Sequence, residues 1–539
     1  MGWPDLMSGG IADHGVWPEV GLEIPQASPA AVARPPVREW LERARQNREA
    51  LDGAAVEIAG VPLGVLRRTA RVEALARAAD YTRRLGIAVE SGRTGVLLAT
   101  GHQPVFVHPG IWIKYLALAR VVPQDGMGLA IIVDSDAADE IAVEVPHDDG
   151  RLRRTRVPLA RGGPTVPFEL LPAPTEDDWR RLATSVDAYL ATLGSGPIAE
   201  AWGRARALWP PRSPGGLAGA ITALRRRLEG PRAYVDLPVS VMSGMPAFRR
   251  FALAIMRDAV RFAEIHNACL DAYREHYGIR TAAQPFPDLT IAPDRVEVPF
   301  WYLADGQRWP VFVEPASRAI AAGHRVVGRL PEDPDEPAFA AMPLRPRALT
   351  LTAFVRLAIC DLFIHGVGGA RYDRATDAVV RAFFGIAPPA YAAATATLFL
   401  PFASGGSVVL ERQRLARRLL DLQHNPERFL VPEGAHRVLV EEKWALIRQL
   451  EQAAALTRRE RRAATRRIRE LNAILRVAVA DQVAEVQAAL DRLNHLQADA
   501  DVAAHRGYPF VLHRVEDVEA VVDLLVSDDA ASTQDPSAR

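Results

Sequence analysis

Two histidines and a lysine lie close together within residues 96–114, VLLATGHQPVFVHPGIWIK. His102 follows the apolar run of residues 96–99, and His108 precedes an apolar helical pattern that carries Lys114. This order predicts a buried strand, a polar loop and a helix N-terminus. Imidazole and ammonium groups at a helix N-terminus suit the binding of a phosphate or a carboxylate.

Carboxylates follow the next apolar run. Residues 129–133 end in Asp134, Ser135 and Asp136, so the two runs and the helix between them form a βαβ pattern. Ligands of open α/β sheets bind outside the carboxyl ends of the strands. The pattern therefore predicts a polar site in which the aspartates bind sugar or ribose hydroxyls, an amine or a divalent cation. The six-residue separation of the two histidines is unspecific for a metal, and we predict none.

The use of lysine supports a special role for Lys114. Of the 65 basic residues, only Lys114 and Lys443 are lysine. A compact ammonium shifts its pKa and approaches a phosphate more readily than a guanidinium does. The alternative is chance, or a lysine whose stem covers apolar surface at a helix end.

The overall composition predicts a soluble, cytoplasmic protein. The 539 residues are 49% hydrophobic and carry a formal net charge of zero, so no global field favours nucleic acid or an anionic membrane. No apolar run of about eighteen residues or basic leader is visible. Cys269 and Cys360 are expected to be two buried free thiols rather than a disulfide.

Composition and periodicity divide the chain into four regions. We predict an N-terminal helical lead-in (1–90), an α/β core with a parallel sheet (91–400), a linker and coiled coil (401–506), and a C-terminal segment with a disordered tail (507–539). Residues 1–34 are rich in Gly and Pro and are expected to run irregularly.

Several local elements are also predicted. Alternating residues in 137–172 indicate short antiparallel strands, and 296–303 and 309–314 indicate a hairpin. Residues 233–241 read as a core strand before a long helix over 246–277. A helix over 352–364 is expected to end at the glycines of 366–369, which permit positive φ and a close ligand approach, or which only cap the helix.

The stretch between Gly434 and Gly507 contains neither Gly nor Pro and has apolar residues at seven-residue spacing. This favours a coiled coil that forms a homodimer. It is either a single helix of about 110 Å or a hairpin of two helices. The basic run at 458–469 is interpreted as a solvated helix face because carboxylates interleave and aromatics are missing.

Two motif blocks carry a resemblance to a known family. TGHQP (100–104), HPG (108–110) and DSDA (134–137), followed by LRP (344–346), VGG (367–369) and FFGIAPP (383–389), resemble the cysteine-adding ligases of bacillithiol biosynthesis. His102 stands where that family usually has a second Gln, and residues 134–137 are less acidic than their counterpart. The resemblance implies a Rossmann-like parallel-sheet core over 91–400, related to nucleotide-binding transferases, with insertions at about 137–230 and 285–335. It also implies a dimer formed by the coiled coil, and an amide bond between cysteine and the amine of glucosaminyl malate.

We therefore hypothesise an amide ligase that acts on small molecules, an amino acid and a sugar amine. His102, His108 and Lys114 would stabilise the anion at an activated carboxylate or phosphate, and Asp134 or Asp136 would orient or deprotonate the amine. Arg345 would hold a carboxylate bidentately. The remaining expected substrate-binding residues are Thr100, Gly101, Gln103, Ser135, Gly368, Gly369 and Arg371.

Cofactor and alternative functions stay open at this point. The chain has neither GxGxxG nor GxxxxGK[ST], so a nicotinamide cofactor is unsupported, and ATP is considered only because the reaction needs activation. One alternative is a non-catalytic dimeric scaffold with a drifted pocket. Another is a nucleotidyl transferase with an HxGH loop, although the histidine spacing here differs.

Overall fold

A computed structural model describes residues 22–90, 92–210, 213–281, 284, 286–402, 406–431, 433–451, 457–494 and 497–527. Its strands within these ranges are β1 (Ala30–Arg34), β2 (Glu57–Ile58), β3 (Val61–Pro62), β4 (Leu97–His102), β5 (Met127–Ile132), β6 (Glu140–Asp148), β7 (Leu152–Arg161), β8 (Tyr234–Pro238), β9 (Val296–Ala304), β10 (Gln307–Glu314), β11 (Ala319–Ala322), β12 (Arg325–Arg329), β13 (Leu344–Pro346), β14 (Leu362–His365) and β15 (Ala392–Thr397).

The α-helices in the same ranges are α1 (Trp40–Asp52), α2 (Leu63–Arg84), α3 (Pro109–Val121), α4 (Glu176–Ala191), α5 (Pro197–Ala207), α6 (Gly216–Glu229), α7 (Val239–Met242), α8 (Pro246–Arg257), α9 (Ala259–Tyr277), α10 (Pro337–Ala340), α11 (Ala348–Phe354), α12 (Val367–Val379), α13 (Gly406–His424), α14 (Gly434–Glu451), α15 (Arg458–Ala478), α16 (Ala480–Asn494), α17 (Gln497–Ala503) and α18 (Val515–Val526). The protein is thus mixed α/β, as predicted.

A six-stranded sheet positions the candidate site. Its strand order is β1-β15-β14-β4-β5-β8. The strands from β15 to β8 are parallel to their neighbours, and β1 is antiparallel to β15 at the edge. From β4 the chain proceeds to β5 and β8 in one direction, whereas β14 and β15 extend the sheet in the other. The direction of winding therefore reverses between β4 and β14.

The two faces of this sheet pack against separate hydrophobic cores because successive side chains of a strand point to opposite sides. Leu97 and Ala99 pack in the core that includes α2, α8 and the C-terminal part of α12. Leu98 packs in the core that includes α3 and α6. The helices that follow β4 and β14 consequently cover opposite faces, and their N-termini meet at the reversal point.

The two segments expected to be insertions contain most of the remaining strands. The first consists of the antiparallel pair β6 and β7 with helices α4 to α6, and the second contains most of a five-stranded antiparallel sheet, β12-β11-β10-β9-β13. The β9–β10 hairpin is confirmed. Asp305 and Gly306 adopt φ values of 53° and 73°, as a two-residue hairpin turn with two left-handed residues requires.

The long stretch between Gly434 and Gly507 is not a single helix. Thr457 and Glu460 form a capping box that starts α15, and the adjacent α14 and α15 pack together as a hairpin in which Arg467 pairs with Glu442 at 2.7 Å. Helix α16 packs on α13 instead. The expected hairpin of two helices describes α14 and α15, whereas α16 and α17 are further helices of the same stretch.

Three other sequence predictions are wrong in part. The helix expected over 352–364 ends with a π-helical turn at Val355–Ile359, and Leu362–His365 is a strand. A short apolar run does not distinguish a buried strand from a helix. The helix over 246–277 is interrupted at Asp258, which has φ −120° and ψ 42°. Residues 1–34 are not irregular throughout, since Ala30–Arg34 pairs with β15.

The two cysteines are buried, and the C-terminal segment contains a helix. Cys269 and Cys360 are buried free thiols, as predicted, and burial raises the pKa of each to about 12. Helix α18 packs against α3 and β1. The tail expected to be disordered lies mostly at 528–539, outside the described residues. No helix in the described ranges is long and apolar enough to cross a bilayer.

Candidate functional site

The reversal point between β4 and β14 is lined by the carboxyl ends of both strands. Strand β4 ends at His102 and β14 ends at His365, while α3 and α12 begin a few residues later. Ligands of open α/β sheets bind in the crevice that such a reversal creates. We call this region the switch-point crevice and define it by His102, Lys114, His365 and the first turn of α12.

Lys114 is buried beside the carboxyl end of β4. Its ammonium donates a hydrogen bond to the carbonyl oxygen of Gly101 at 3.2 Å, and the residue is 2% exposed. No described carboxylate lies within ion-pair distance of it. Burial lowers its pKa to about 8. A buried ammonium without a counter-charge is costly and is well suited to an anionic ligand.

His102 borders the same crevice as a neutral imidazole. Burial, followed by the nearby Lys114 charge, lowers its pKa to about 4. Its Nδ1 lies 3.1 Å from the carbonyl oxygen of Gln103, so Nδ1 carries the proton and Nε2 is an acceptor. A neutral ring at this position does not supply the positive charge that we expected from the sequence.

His108 has a structural role that the sequence did not reveal. It is the N-cap of α3, and its Nδ1 accepts a hydrogen bond from the backbone N–H of Gly110 at 3.1 Å. Burial and the Arg506 charge lower its pKa to about 3. The ring is therefore neutral and engaged with the helix terminus, instead of stabilising an anion as expected from the sequence.

Asp134 and Asp136, at the end of β5, differ sharply from each other. Asp134 is buried and accepts hydrogen bonds from the backbone N–H, at 2.9 Å, and the hydroxyl of Ser240. Burial and the Glu169 charge raise its pKa to about 7. Ser135 is also buried. Asp136 is 40% exposed at its side chain and is the carboxylate that a ligand can reach.

Asp136 has two side-chain partners, one of which the sequence missed. The amide of Gln103 donates to it, and Arg308 donates to it at 2.9 Å. Arg308 comes from the β9–β10 hairpin, which thereby reaches over the edge of the central sheet. One arginine among the many in this chain gives no sequence signal, and only the fold brings it to Asp136.

Arg345 is already paired within the protein. Its guanidinium makes a bidentate interaction with Glu169, at 2.8 Å and 2.7 Å, and both side chains are largely buried. The bidentate geometry expected from the sequence is present, but the carboxylate belongs to the first insertion. The Arg345 guanidinium is therefore not free to bind a substrate carboxylate.

The glycine motif begins a helix rather than ending one. Gly366 is the N-cap of α12 with φ −81°, and Gly368 and Gly369 lie in its first turn without positive φ. Gly369 is needed for space, since a Cβ there would lie 3.0 Å from Nδ1 of His365. Arg371 is exposed on α12. The expected positive φ and the helix C-cap are both wrong.

Thr100 and Gly101 serve the sheet. The Thr100 hydroxyl donates to the carbonyl oxygen of Ile364 at 2.8 Å and joins β4 to β14. A Cβ at Gly101 would lie 3.1 Å from Ile131, so glycine permits close packing of β4 on β5. These two motif residues shape the crevice without directing a free polar side chain into it.

His365 and Asp373 are the crevice residues that sequence reasoning left out. Nε2 of His365 lies 3.0 Å from the Asp373 carboxylate, and both residues are buried. Arg356 pairs with the same carboxylate, and the Thr352 hydroxyl donates to it at 2.6 Å. The sequence signal for this pair is a histidine directly before Gly-Val-Gly-Gly, but the sequence pattern predicts only the end of a helix there.

The arrangement juxtaposes two kinds of polar group on adjacent strands. The crevice has a buried ammonium and a helix N-terminus, whereas the neighbouring end of β5 has an accessible carboxylate. The described residues contain no group of three or more His, Cys, Asp or Glu side chains that could hold a metal ion.

No protein-family model matches the chain, and comparison with curated proteins gives no significant match.

Proposed function

We propose that this protein is a carbon–nitrogen ligase that joins the carboxyl group of an amino acid to the amine of a sugar-derived acceptor. Cysteine and glucosaminyl malate are the substrates in the family that its motifs resemble. The observation that carries the proposal is the placement of two groups at neighbouring strands. The Lys114 ammonium, from α3, lies at the Gly101 carbonyl near the carboxyl end of β4, and Asp136 follows the carboxyl end of β5. One site binds an anion and the other binds an amine, as amide formation requires.

The strand order supports a Rossmann-type core. Numbering the parallel strands β4, β5, β8, β14 and β15 from one to five gives the spatial order 3-2-1-4-5. This is the order of the doubly wound dinucleotide-binding fold, whose ligands bind at the reversal between the first and fourth strands. Lys114 and His365 lie at that position. The fold alone leaves the chemistry open, so the proposal rests on the side chains.

The anionic group is assigned to the switch-point crevice. The Lys114 ammonium and the backbone N–H groups at the start of α12 face the carboxyl end of the sheet and suit a carboxylate or a phosphate. Because an amide does not form from a free carboxylate without activation, we include a nucleoside triphosphate as the activating co-substrate. Lys114 then stabilises the charge on the activated group.

The amine is assigned to Asp136. In the absence of ligand, Arg308 neutralises this carboxylate at 2.9 Å. An acceptor ammonium carries the same charge and replaces the guanidinium in the same place. Asp134, which is buried against Ser240, holds the loop in shape instead of contacting the acceptor.

We further propose that the C-terminal helices mediate homodimerisation. Val431, Val438 and Val477, in or beside α14 and α15, are 75%, 64% and 76% exposed. Apolar side chains exposed this strongly and grouped in one helical region indicate a contact surface. The test is a double variant, Val438→Asp with Val477→Asp, examined by light scattering. A dimeric wild-type protein and a monomeric double variant would support the proposed dimer interface. A monomeric wild-type protein would exclude it.

Ligand-induced thermal shift tests the binding part of the proposal. ATP, cysteine and glucosaminyl malate are added singly and together, and a ligand at a hundred times its Kd stabilises the protein by about 2.7 kcal/mol. Lys114→Met should abolish the shift caused by the anionic ligands. Lys443→Met is the matched control, since it also removes a buried ammonium but lies between Glu427 and His424 in the helical region. No shift with any ligand would contradict the proposal.

A further inference from the structure

The pair formed by His365 and Asp373 has the geometry of an oriented base. The Asp373 carboxylate is fixed by Arg356 and by the Thr352 hydroxyl. These contacts keep the pKa of Asp373 well below its usual range, because Arg356 and His365 outweigh the effect of burial. An ionised carboxylate 3.0 Å from Nε2 of His365 places the imidazole proton on Nε2.

The other ring nitrogen is left as an acceptor. Nδ1 makes no hydrogen bond to any described residue, and it faces the first turn of α12 at Gly369. Phe363 and Tyr391 pack against the ring, with centroids 4.5 Å and 5.1 Å away, and fix its orientation. Burial lowers the pKa of His365, and the charge of Lys114 contributes to this shift. The ring is therefore neutral and lies near the Lys114 ammonium.

We propose that His365 is the proton acceptor of the amide-forming step and that Asp373 is its positioning residue. This inference rests on the proposed function, because it assigns a base to the reaction proposed above. Carboxylate-oriented imidazoles with a free second nitrogen are a recurring general-base arrangement, as in hydrolases with a nucleophile and a histidine. His365 was not among the residues selected from the sequence.

The step starts from an acyl phosphate formed from the amino acid and the nucleoside triphosphate. The acceptor amine nitrogen forms a bond to the carbonyl carbon. The bond between that carbon and the phosphate oxygen breaks, and its electron pair leaves with the phosphate. The acceptor ammonium releases one proton to solvent before it attacks. As the free amine attacks, one further N–H proton moves to Nδ1 of His365, while Lys114 faces the departing anion.

Hydroxylamine separates the base from the activation step. It is a strong nucleophile, uncharged at pH 7, which attacks an activated carboxyl group without a general base and gives a hydroxamate. The assay contains ATP and cysteine with either glucosaminyl malate or hydroxylamine, and both products are measured by mass spectrometry. We expect His365→Gln to lose sugar-amide formation by about 10²- to 10⁴-fold and to retain hydroxamate formation.

Asp373→Asn should lower the same product ratio to a smaller extent, because the ring is still present but loses its orientation. The matched control is His266→Gln, which changes a histidine of equal burial, 5% exposed, on α9. Circular dichroism melting checks that each variant is folded, and the ratio of the two products is independent of the fraction folded.

The outcomes distinguish the two proposals. If the wild-type protein forms both products and His365→Gln shows no selective loss of the sugar amide, the role of His365 is overturned and the proposed ligase function stands. Equal loss of both products in a folded His365→Gln also overturns it, because the residue would then act before amine attack. Wild-type protein that forms neither product overturns the proposed function and, with it, the base.

Discussion

The Lys114 ammonium lies 3.2 Å from the carbonyl oxygen of Gly101, and it has no carboxylate partner among the described residues. The other lysine of the chain, Lys443, is equally buried but pairs with Glu427 at 2.7 Å. The two lysines therefore differ in how their charge is compensated. Of the two, only Lys114 has a charge without a carboxylate partner at the carboxyl edge of the sheet, and the proposed anionic ligand would compensate it.

Lys114→Met is expected to stabilise the ligand-free protein at pH 7. The pKa of Lys114 falls from 10.5 to about 8 on folding, so the protonated form is disfavoured in the native state. One pKa unit corresponds to about 1.4 kcal/mol, and the gain is at most about 3.5 kcal/mol. Urea unfolding of both proteins measures it.

The pH dependence of this difference has a definite sign. Between pH 8 and 10.5 the unfolded chain binds more protons than the native protein, so wild-type stability rises with pH relative to Lys114→Met. The gap between the two proteins should therefore close by pH 10.5. A variant that is less stable than wild type at pH 7 would show that the ammonium is compensated by contacts of the fold.

Acid should destabilise the protein through its buried neutral imidazoles. The pKa values of His102 and His108 fall from 6.5 to about 4 and about 3 on folding. Below pH 6.5 the unfolded state binds more protons, so stability decreases as pH falls towards these folded-state values. Each histidine should cost roughly 1 kcal/mol between pH 6.5 and 5.5, which chemical denaturation at a series of pH values measures.

His108→Asn distinguishes capping from catalysis. Asn is a good N-cap, so this variant should keep its neutral-pH stability and ligand shifts and lose part of the acid sensitivity. His108→Ala should cost about 1 kcal/mol because the helix end loses its acceptor. Loss of amide formation in a stable His108→Asn protein would restore the catalytic role expected from the sequence.

Arg345 and Glu169 should behave as a coupled structural pair. Removing either partner leaves a buried charge beside Asp134 and is expected to cost about 3–5 kcal/mol. Arg345→Met combined with Glu169→Met should cost less than the sum of the single changes. A double-mutant cycle in urea measures the coupling, and additive effects would mean that Arg345 is free to bind a substrate carboxylate after all.

Arg308→Ala should tighten binding of the sugar amine. The guanidinium occupies Asp136 at 2.9 Å, and an acceptor ammonium must displace it. Removing this competitor is expected to lower Kd by about tenfold, which corresponds to about 1.4 kcal/mol, whereas Asp136→Asn should weaken binding. Isothermal titration with glucosaminyl malate measures both. Weaker binding in Arg308→Ala would show that the guanidinium contacts the acceptor directly.

The sequence predicted the β4–α3–β5 unit because apolar runs and a helical period are local signals. It also located the β9–β10 hairpin, since Asp305 and Gly306 identify the turn. It failed at Leu362–His365, where a four-residue buried strand follows a helix and both segments are mainly apolar. Because the strand is not predicted, the position of His365 at a strand end is not predicted either, and His365 is missed as a candidate site residue.

The hydrogen-bond and ion-pair partners of the site residues cannot be predicted from local sequence patterns. The bonds from Arg345 to Glu169 and from Arg308 to Asp136 each join segments more than 170 residues apart. Only tertiary structure shows that the first arginine is occupied and that the second neutralises the candidate amine site. The residue types at the strand ends were informative, but their availability to a ligand depends on these distant partners.

The most direct measurement is mass-spectrometric detection of the amide after incubation of the protein with ATP, cysteine and glucosaminyl malate. The proposal predicts a product that contains both substrates less one water, with phosphate or pyrophosphate released in equal amount. The product should fall by about 10²- to 10³-fold in Lys114→Met and persist in Lys443→Met. No product from folded wild-type protein that binds these ligands, or equal product in both lysine variants, would contradict the assignment of the switch-point crevice as a ligase site.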